Sequence, residues 1–278
     1  MASRLRRHPD RAGFTLVEML VVVAILATLV GMLAPPLLSA RAITRKAVCQ
    51  ANIRNLQLAN QLYQKAFDGF YAPGAPGMFA SAGTTDYSRV NCARWFGVRG
   101  HPSEPFTRED GPLSPYLSSH QVKGCPSFTD YKQGFESGCG GYGYNNNFVG
   151  QFVMRVRAGV YRPAHDKWHL SGNMVEAFPH PTETVAFTDT AFAGFDGDIE
   201  YSFCESPKWP LYPNRRVVPS IHFRHLGKAN IVWLDGHVGS EPMSFSDEDL
   251  GPASMAGRSK ARNIGWFGPK DNKLFDCN

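Results

Sequence analysis

Residues 14–34 constrain this chain most: 21 residues in a row that are apolar or uncharged except for Glu18. Wound as an α-helix, such a run is about 31 Å long, which matches the hydrocarbon core of a bilayer. A surface helix of a soluble domain alternates apolar and polar faces, and this run does not. It therefore predicts one membrane crossing. A carboxylate inside such a helix is costly in hydrocarbon, so Glu18 calls for a partner or a function. Arg4, Arg6, Arg7 and Arg11 precede the run, while Arg41, Arg45 and Lys46 follow it closely. The positive-inside count thus favours a cytoplasmic N-terminus only slightly.

The residues at the start of the run are Gly13-Phe14-Thr15-Leu16-Val17-Glu18. Together with the Arg-rich leader and the apolar span, they resemble the prepilin processing site of type IV pilins and type II secretion pseudopilins. The resemblance implies a cut between Gly13 and Phe14 by a prepilin peptidase, N-methylation of Phe14, and a role for Glu18 in assembly. The physical reading agrees, because a cut there leaves a cationic amine at Phe14. In a helix bundle, a neighbour's amine then satisfies the Glu18 carboxylate. A plain signal anchor, or a secretory signal cut at Ala40-Arg41-Ala42, also explains the basic leader and the apolar run. Neither calls for glycine before Phe-Thr-Leu-Val-Glu, and a conventional signal core is usually shorter and free of carboxylates.

The formal charge of +5 does not point to a nucleic-acid partner. Removing residues 1–13 takes away four arginines and Asp10, which leaves 25 basic against 23 acidic residues, a balance of +2. The division expected from these signals is a leader at 1–13, a transmembrane and assembly helix at 14–68, and an extracytoplasmic β-rich domain at 69–278.

Pro35 and Pro36 are expected to kink or interrupt the helix. The helical pattern then resumes to about Phe67, with Ala47, Ala51, Leu58, Leu62 and Ala66 on one apolar face. Arg45, Gln50, Asn52, Arg54, Gln57 and Gln64 supply the polar positions. A separate surface helix after the anchor is the alternative. From Gly69 onward glycine, proline, serine and aromatic residues dominate, and residues 71–77 read as a loop. Extended segments are expected at 151–156, 184–188 and 229–234, with turn clusters at 138–147 and 207–219. The fold class is α+β and pilin-like: a long kinked N-terminal helix on an antiparallel sheet with long loops. Asp235-Gly236, between 229–234 and His237-Val238-Gly239, reads as a two-residue hairpin turn.

Six cysteines (Cys49, Cys92, Cys125, Cys139, Cys204 and Cys277) allow 15 complete pairings. Cys125 and Cys139 are the best local disulfide candidates, because turn-forming glycines and Pro126 surround them. Closing that short loop stabilises by about 3 kcal/mol in the chain-entropy model. The absence of a Cys-x-x-Cys pair argues against zinc.

Two further constellations carry candidate chemistry. His222, His225, Asp235 and His237 crowd one region, and nine residues separate His225 from Asp235-Gly236. That spacing resembles a C-terminal signature of bacterial pilin-like proteins that carry the prepilin leader. Cys125-Pro126-Ser127 and Tyr142-Gly143-Tyr144-Asn145 resemble their middle-region patterns more loosely. The four residues offer a metal-dependent hydrolytic site. The favoured reading is structural: His225 and Asp235 pair across neighbouring strands and lock the hairpin, with His237 exposed. Asp189, Asp196, Asp198 and Glu200 form an oxygen-rich set suited to calcium, with a solvated acidic loop as the plainer account and no other cofactor expected of a filament subunit. No nucleophile elbow, phosphate loop or dinucleotide fingerprint appears.

The resulting expectation is a non-enzymatic filament subunit. It is processed by prepilin peptidase and polymerised from the bacterial inner membrane through an assembly platform with other pilin-like subunits. Its C-terminal domain is expected in the periplasm, within a secretion pseudopilus or a pilus. An anchored or secreted enzyme using the histidine cluster, and a binding module exported by the prepilin route, are the alternatives.

Overall fold

The computed structural model describes residues 13–76, 78, 91–150, 172–209, 217–247 and 257–276. The expected strand at 151–156, Cys277, most of the leader and the middle of the 207–219 turn cluster lie outside the described residues. The chain divides into two compact units, Met1–Ile43 and Thr44–Asn278.

Helix α1 (Leu16–Ala66) is 51 residues long. Within the first unit, every described side chain from Gly13 to Arg41 is exposed, including Leu16, Val23 and Leu33. A helix this apolar with no protein around it has the character of a membrane-spanning segment. Pro35 and Pro36 lie inside α1 and do not interrupt it. Strong helix formers on both sides carry the helix across the lost donors, and the Ser39 hydroxyl donates to the Pro35 carbonyl at 3.4 Å.

Within the second unit, the buried stripe of α1 is Cys49, Ile53, Leu56, Ala59 and Tyr63. The sequence pattern indicated Ala47, Ala51, Leu58, Leu62 and Ala66, and all five are exposed. The true stripe was obscured because Gln57 and Asn60 are interleaved with it and are themselves fully buried. Both amides are satisfied. Gln57 Nε2 donates to the Leu234 carbonyl at 2.6 Å, and Asn60 Nδ2 donates to the Tyr144 hydroxyl at 3.2 Å. Asn60 Oδ1 accepts from the Ala72 N–H at 2.9 Å. Paired in this way, a polar side chain is tolerated in a core.

The helix is followed by antiparallel strands, an α+β pilin-like arrangement. A small hairpin comes first, β1 (Ala93–Arg94) with β2 (Gly97–Val98). The main sheet has four strands in the order β3-β4-β8-β9: β3 (Tyr142–Tyr144), β4 (Val185–Asp189), β8 (Lys228–Trp233) and β9 (Val238–Pro242). Short pairs flank it. β5 (Phe192–Ala193) pairs with β6 (Asp198–Ile199), and β7 (Ile221–His222) pairs with β10 (Ile264–Gly265), which follows helix α2 (Arg258–Ala261). β4 is buried along its whole length, as the continuous run Val-Ala-Phe-Thr-Asp between two partner strands requires. Its Phe187 ring stacks on Tyr144 at 4.6 Å and meets Trp95 edge-on at 5.3 Å. At Gly143, a side chain would collide with Thr190 and the Phe203 backbone, so glycine there lets β3 approach the neighbouring segment closely.

The β8–β9 hairpin forms where the sequence indicated it, with a different turn. Val232 pairs with Val238, the Trp233 N–H donates to the His237 carbonyl, and the Gly236 N–H donates back to the Trp233 carbonyl at 2.9 Å. The loop is thus Leu234, Asp235 and Gly236. Only Gly236 takes a positive φ, +96°. A two-residue type I′ turn needs positive φ at both corners; a type I turn closed by a left-handed glycine is the three-residue solution.

Candidate functional site

The first candidate region is the start of α1. Thr15 precedes the helix and Glu18 lies in its first turn. The Thr15 N–H and hydroxyl both donate to Glu18 Oε2 at 2.8 Å, and the Glu18 N–H donates to Thr15 Oγ1 at 3.2 Å. This reciprocal arrangement is a capping box, and its signature Thr-x-x-Glu stands in the sequence. Glu18 therefore has a partner within a single chain, and its charge is held at the helix N-terminus, where the macrodipole favours an anion. Gly13 and Phe14 precede the helix in exposed, irregular backbone.

The second region lies under α1. Cys49, Cys125, Asp189 and His225 are all buried, and one ligand-type atom of each lies within 4.8 Å of the others. Four local features place them. Cys49 sits on the buried helix stripe. Cys125 starts a turn closed by the Phe128 N–H on its carbonyl, while its own N–H donates to Gly140. Asp189 ends the central strand β4. His225 opens a turn to Lys228, with reciprocal backbone bonds at 2.9 and 3.1 Å and positive φ at Leu226 and Gly227.

Asp189 holds this region together. Its Oδ1 accepts from Arg224 Nη2 at 3.1 Å, its Oδ2 accepts from the Asn230 N–H at 2.8 Å, and His225 Nε2 lies 3.4 Å from Oδ2. Burial raises its pKa, but the charges of Arg224 and His225 and the hydrogen bonds outweigh burial, and the group stays below the ordinary carboxylate range. Burial opposes the charge on His225 as well. Asp189 and Cys125 overcome it and raise the imidazole to about 9. The Cys125 thiol is lowered, first by Cys49 and then, against burial, by His225 and Arg224; the Cys49 thiol is raised. Arg224 also stacks on Phe128 at 4.5 Å and donates to Gly141 O and to Thr190 O.

His222 is separate. Its Nδ1 lies 3.0 Å from Arg224 Nη1, so it accepts and stays neutral, and burial with the adjacent guanidinium lowers it to about 3. Asp235 and His237 pair with one another at 2.7 Å on the exposed hairpin loop. The expected His225–Asp235 lock is therefore replaced by two pairs, His225–Asp189 inside and Asp235–His237 outside. The four residues offered as a hydrolytic site do not come together.

The acidic set is also dispersed. Asp198 pairs with Arg262 at 2.9 Å. Glu200 accepts the Gly138 and Gly140 N–H groups at 2.7 Å each, with Arg108 at 3.8 Å. Asp196 is exposed, and Asp189 belongs to the Arg224 and His225 network. Among the described residues these four carboxylates form no common oxygen cage of the kind calcium takes. The Cys125–Cys139 pairing also fails. The two backbones meet through Cys125 N–H and Gly140 O, but Cys125 Sγ faces Cys49 Sγ, while Cys139 is fully buried beside Glu200.

Two expectations follow for stability. Leu226 is exposed with φ +56°, and a non-glycine residue pays for that conformation. Leu226→Asn should raise stability by about 1 kcal/mol, read as a higher Tm. The pH profile should be two-sided. His225 has its folded pKa raised beside the Asp189 carboxylate, so its contribution is complete below about 6.5 and lost as pH rises through the raised value. Asp189 and His222 have lowered values, so their contributions are lost on the acid side, that of His222 as pH falls from about 6.5 toward about 3. His225→Gln should flatten the alkaline limb of a Tm-against-pH curve and leave the acid limb in place.

Residues 9–34 match the family described as Prokaryotic N-terminal methylation motif. The chain thus carries the prepilin-type signature of type IV pilins and pseudopilins, and the match covers the Gly13–Phe14 bond, the capping box and the apolar half of α1. No curated protein and no solved structure matches the chain. The motif and the apolar N-terminal helix fit inner-membrane anchoring.

Proposed function

We propose that the protein is a structural, non-enzymatic subunit of a type II secretion pseudopilus or a type IV pilus-like filament. Prepilin peptidase cuts it after Gly13, Phe14 is methylated, and the subunit is drawn from the inner membrane into a bundle through α1. The domain beyond the helix faces the periplasm and forms the outer surface of the filament. The observation that carries this reading is the methylation motif on a helix whose described side chains through residue 41 are all exposed. A helix of that kind has two solvents open to it, lipid and other helices, and assembly exchanges one for the other. The exposed stripe of Ala47, Ala51, Leu58, Leu62 and Ala66 supports the reading, since it offers a second apolar face for neighbouring subunits.

The capping box changes the role of Glu18. It is not an unsatisfied charge waiting for a neighbour; it is a charge already placed at the tip of the helix. Cleavage leaves the Phe14 amine one residue before Thr15, and a second subunit's amine competes for, or joins, the same carboxylate. The test is fractionation of sheared filaments from cells with and without prepilin peptidase. Recovery of the protein in the filament fraction only when the peptidase is present supports the proposal; equal partition to the membrane in both contradicts it.

A further inference from the structure

The buried region under α1 holds two cysteines to which filament assembly gives no role. Cys49, on the helix, and Cys125, 76 residues later in the turn before β3, place their Sγ atoms 2.7 Å apart, and both side chains are buried. From this juxtaposition we infer that Cys49 and Cys125 form a disulfide in the exported protein, stitching the second part of α1 to the Cys125–Phe128 turn. The inference rests on the export reading above, because an oxidising compartment is what forms and keeps such a bond.

A metal centre is the competing use of the same four side chains, and the geometry disfavours it. Two thiolates on one tetrahedral zinc, each bonded at about 2.3 Å, stand about 3.8 Å apart, well beyond the spacing here. The Asp189 oxygens are already taken by Arg224 and the Asn230 N–H. The Arg224 guanidinium, 3.1 Å from that carboxylate, adds a fixed positive charge where a dication would sit. Cationic neighbours do suit a thiolate. Arg224 and His225, the latter with Nε2 3.5 Å from Cys125 Sγ, favour ionised Cys125 as the attacking sulfur.

The chemistry is thiol–disulfide exchange with the disulfide of an extracytoplasmic thiol oxidoreductase, before the Cys49 stripe of α1 covers a Cys125 already set beside Arg224 and His225. Cys125 thiolate attacks one oxidant sulfur, the oxidant's S–S bond breaks, and one oxidant thiolate leaves. Cys49 thiolate then attacks Cys125 Sγ and displaces the second oxidant thiolate. Two protein thiols are oxidised, the oxidant gains two electrons, and the two protons pass to its thiolates. Cys139 and Cys204 are fully buried, where burial raises both thiols and makes them poor nucleophiles.

The test uses full-length protein extracted from membranes in detergent after alkylation of accessible thiols, then denatured, alkylated again and digested without reductant. Mass spectrometry should find the Cys49 and Cys125 peptides joined and those of Cys139 and Cys204 alkylated. Strong reductant should lower Tm by about 10 °C, given the long loop the bond closes. Cys49→Ser should abolish that reductant effect. The wild-type digest stands on its own if the variant does not fold. Alkylated Cys49 and Cys125, a Cys125–Cys139 link, or one equivalent of zinc retained with both thiols unlinked would each overturn the inference. The same digest reports residue 14. A mature Phe14 terminus with free Cys49 and Cys125 defeats the disulfide alone; an uncut leader with the link intact defeats the processing route alone.

Discussion

Glu18→Ala is expected to leave cleavage after Gly13 intact and to cut filament-incorporated protein roughly tenfold or more, the scale of one desolvated charge pair lost per subunit. The proposed cleavage falls at the Gly13–Phe14 bond, and the variant leaves residues 13–17 unchanged. Assembly loses both functions of the carboxylate: the cap on the Thr15 N–H and the negative charge at the tip of α1. Glu18→Gln separates the two, because glutamine keeps the acceptor for the capping box and removes the charge. Immunoblotting of membrane and sheared-filament fractions reads both variants. Loss of filaments in both assigns the effect to charge, whereas rescue by glutamine assigns it to the cap. Normal filament yield in Glu18→Ala contradicts a role for this residue in assembly.

Asp189→Ala carries the largest expected cost in the folded domain. The side chain is fully buried, and its loss leaves the Arg224 guanidinium, the raised His225 and the Asn230 N–H without their carboxylate. Breaking a buried pair by removing one partner costs about 3–5 kcal/mol. For a domain of this size that lowers Tm by roughly 10–15 °C. Thermal unfolding at pH 7 measures it, and a fall of only a degree or two would show that the network does not hold β4, β8 and the His225 turn together. Asp189→Asn should recover part of the loss, since it keeps an acceptor for Asn230.

The two ends of the chain were legible for different reasons. At the N-terminus the signal is local and one-dimensional: a glycine before Phe-Thr-Leu-Val-Glu and an apolar run of bilayer length, neither of which needs the rest of the fold. The β8–β9 hairpin was legible because Asp-Gly and its flanking extended runs are adjacent, although a preference for Asp-Gly does not distinguish a two-residue turn from a three-residue one. The helix stripe was misread because hydrophobicity alone ranks Leu58 and Leu62 above Gln57 and Asn60. Burial is decided by whether a partner awaits, and the Leu234 carbonyl and Tyr144 hydroxyl lie 177 and 84 residues away. The Cys49, Cys125, Asp189 and His225 group was hidden by distance in sequence. His225 was read with Asp235 because they are neighbours along the chain, while the fold gives it Asp189 from a strand paired alongside.

The mass of the N-terminal peptide of protein recovered from sheared filaments decides whether this chain is a processed, filament-forming subunit. The expected peptide begins at Phe14 and carries one added methyl group. A peptide that retains the residues before Phe14, or one that begins after Ala42, would contradict it.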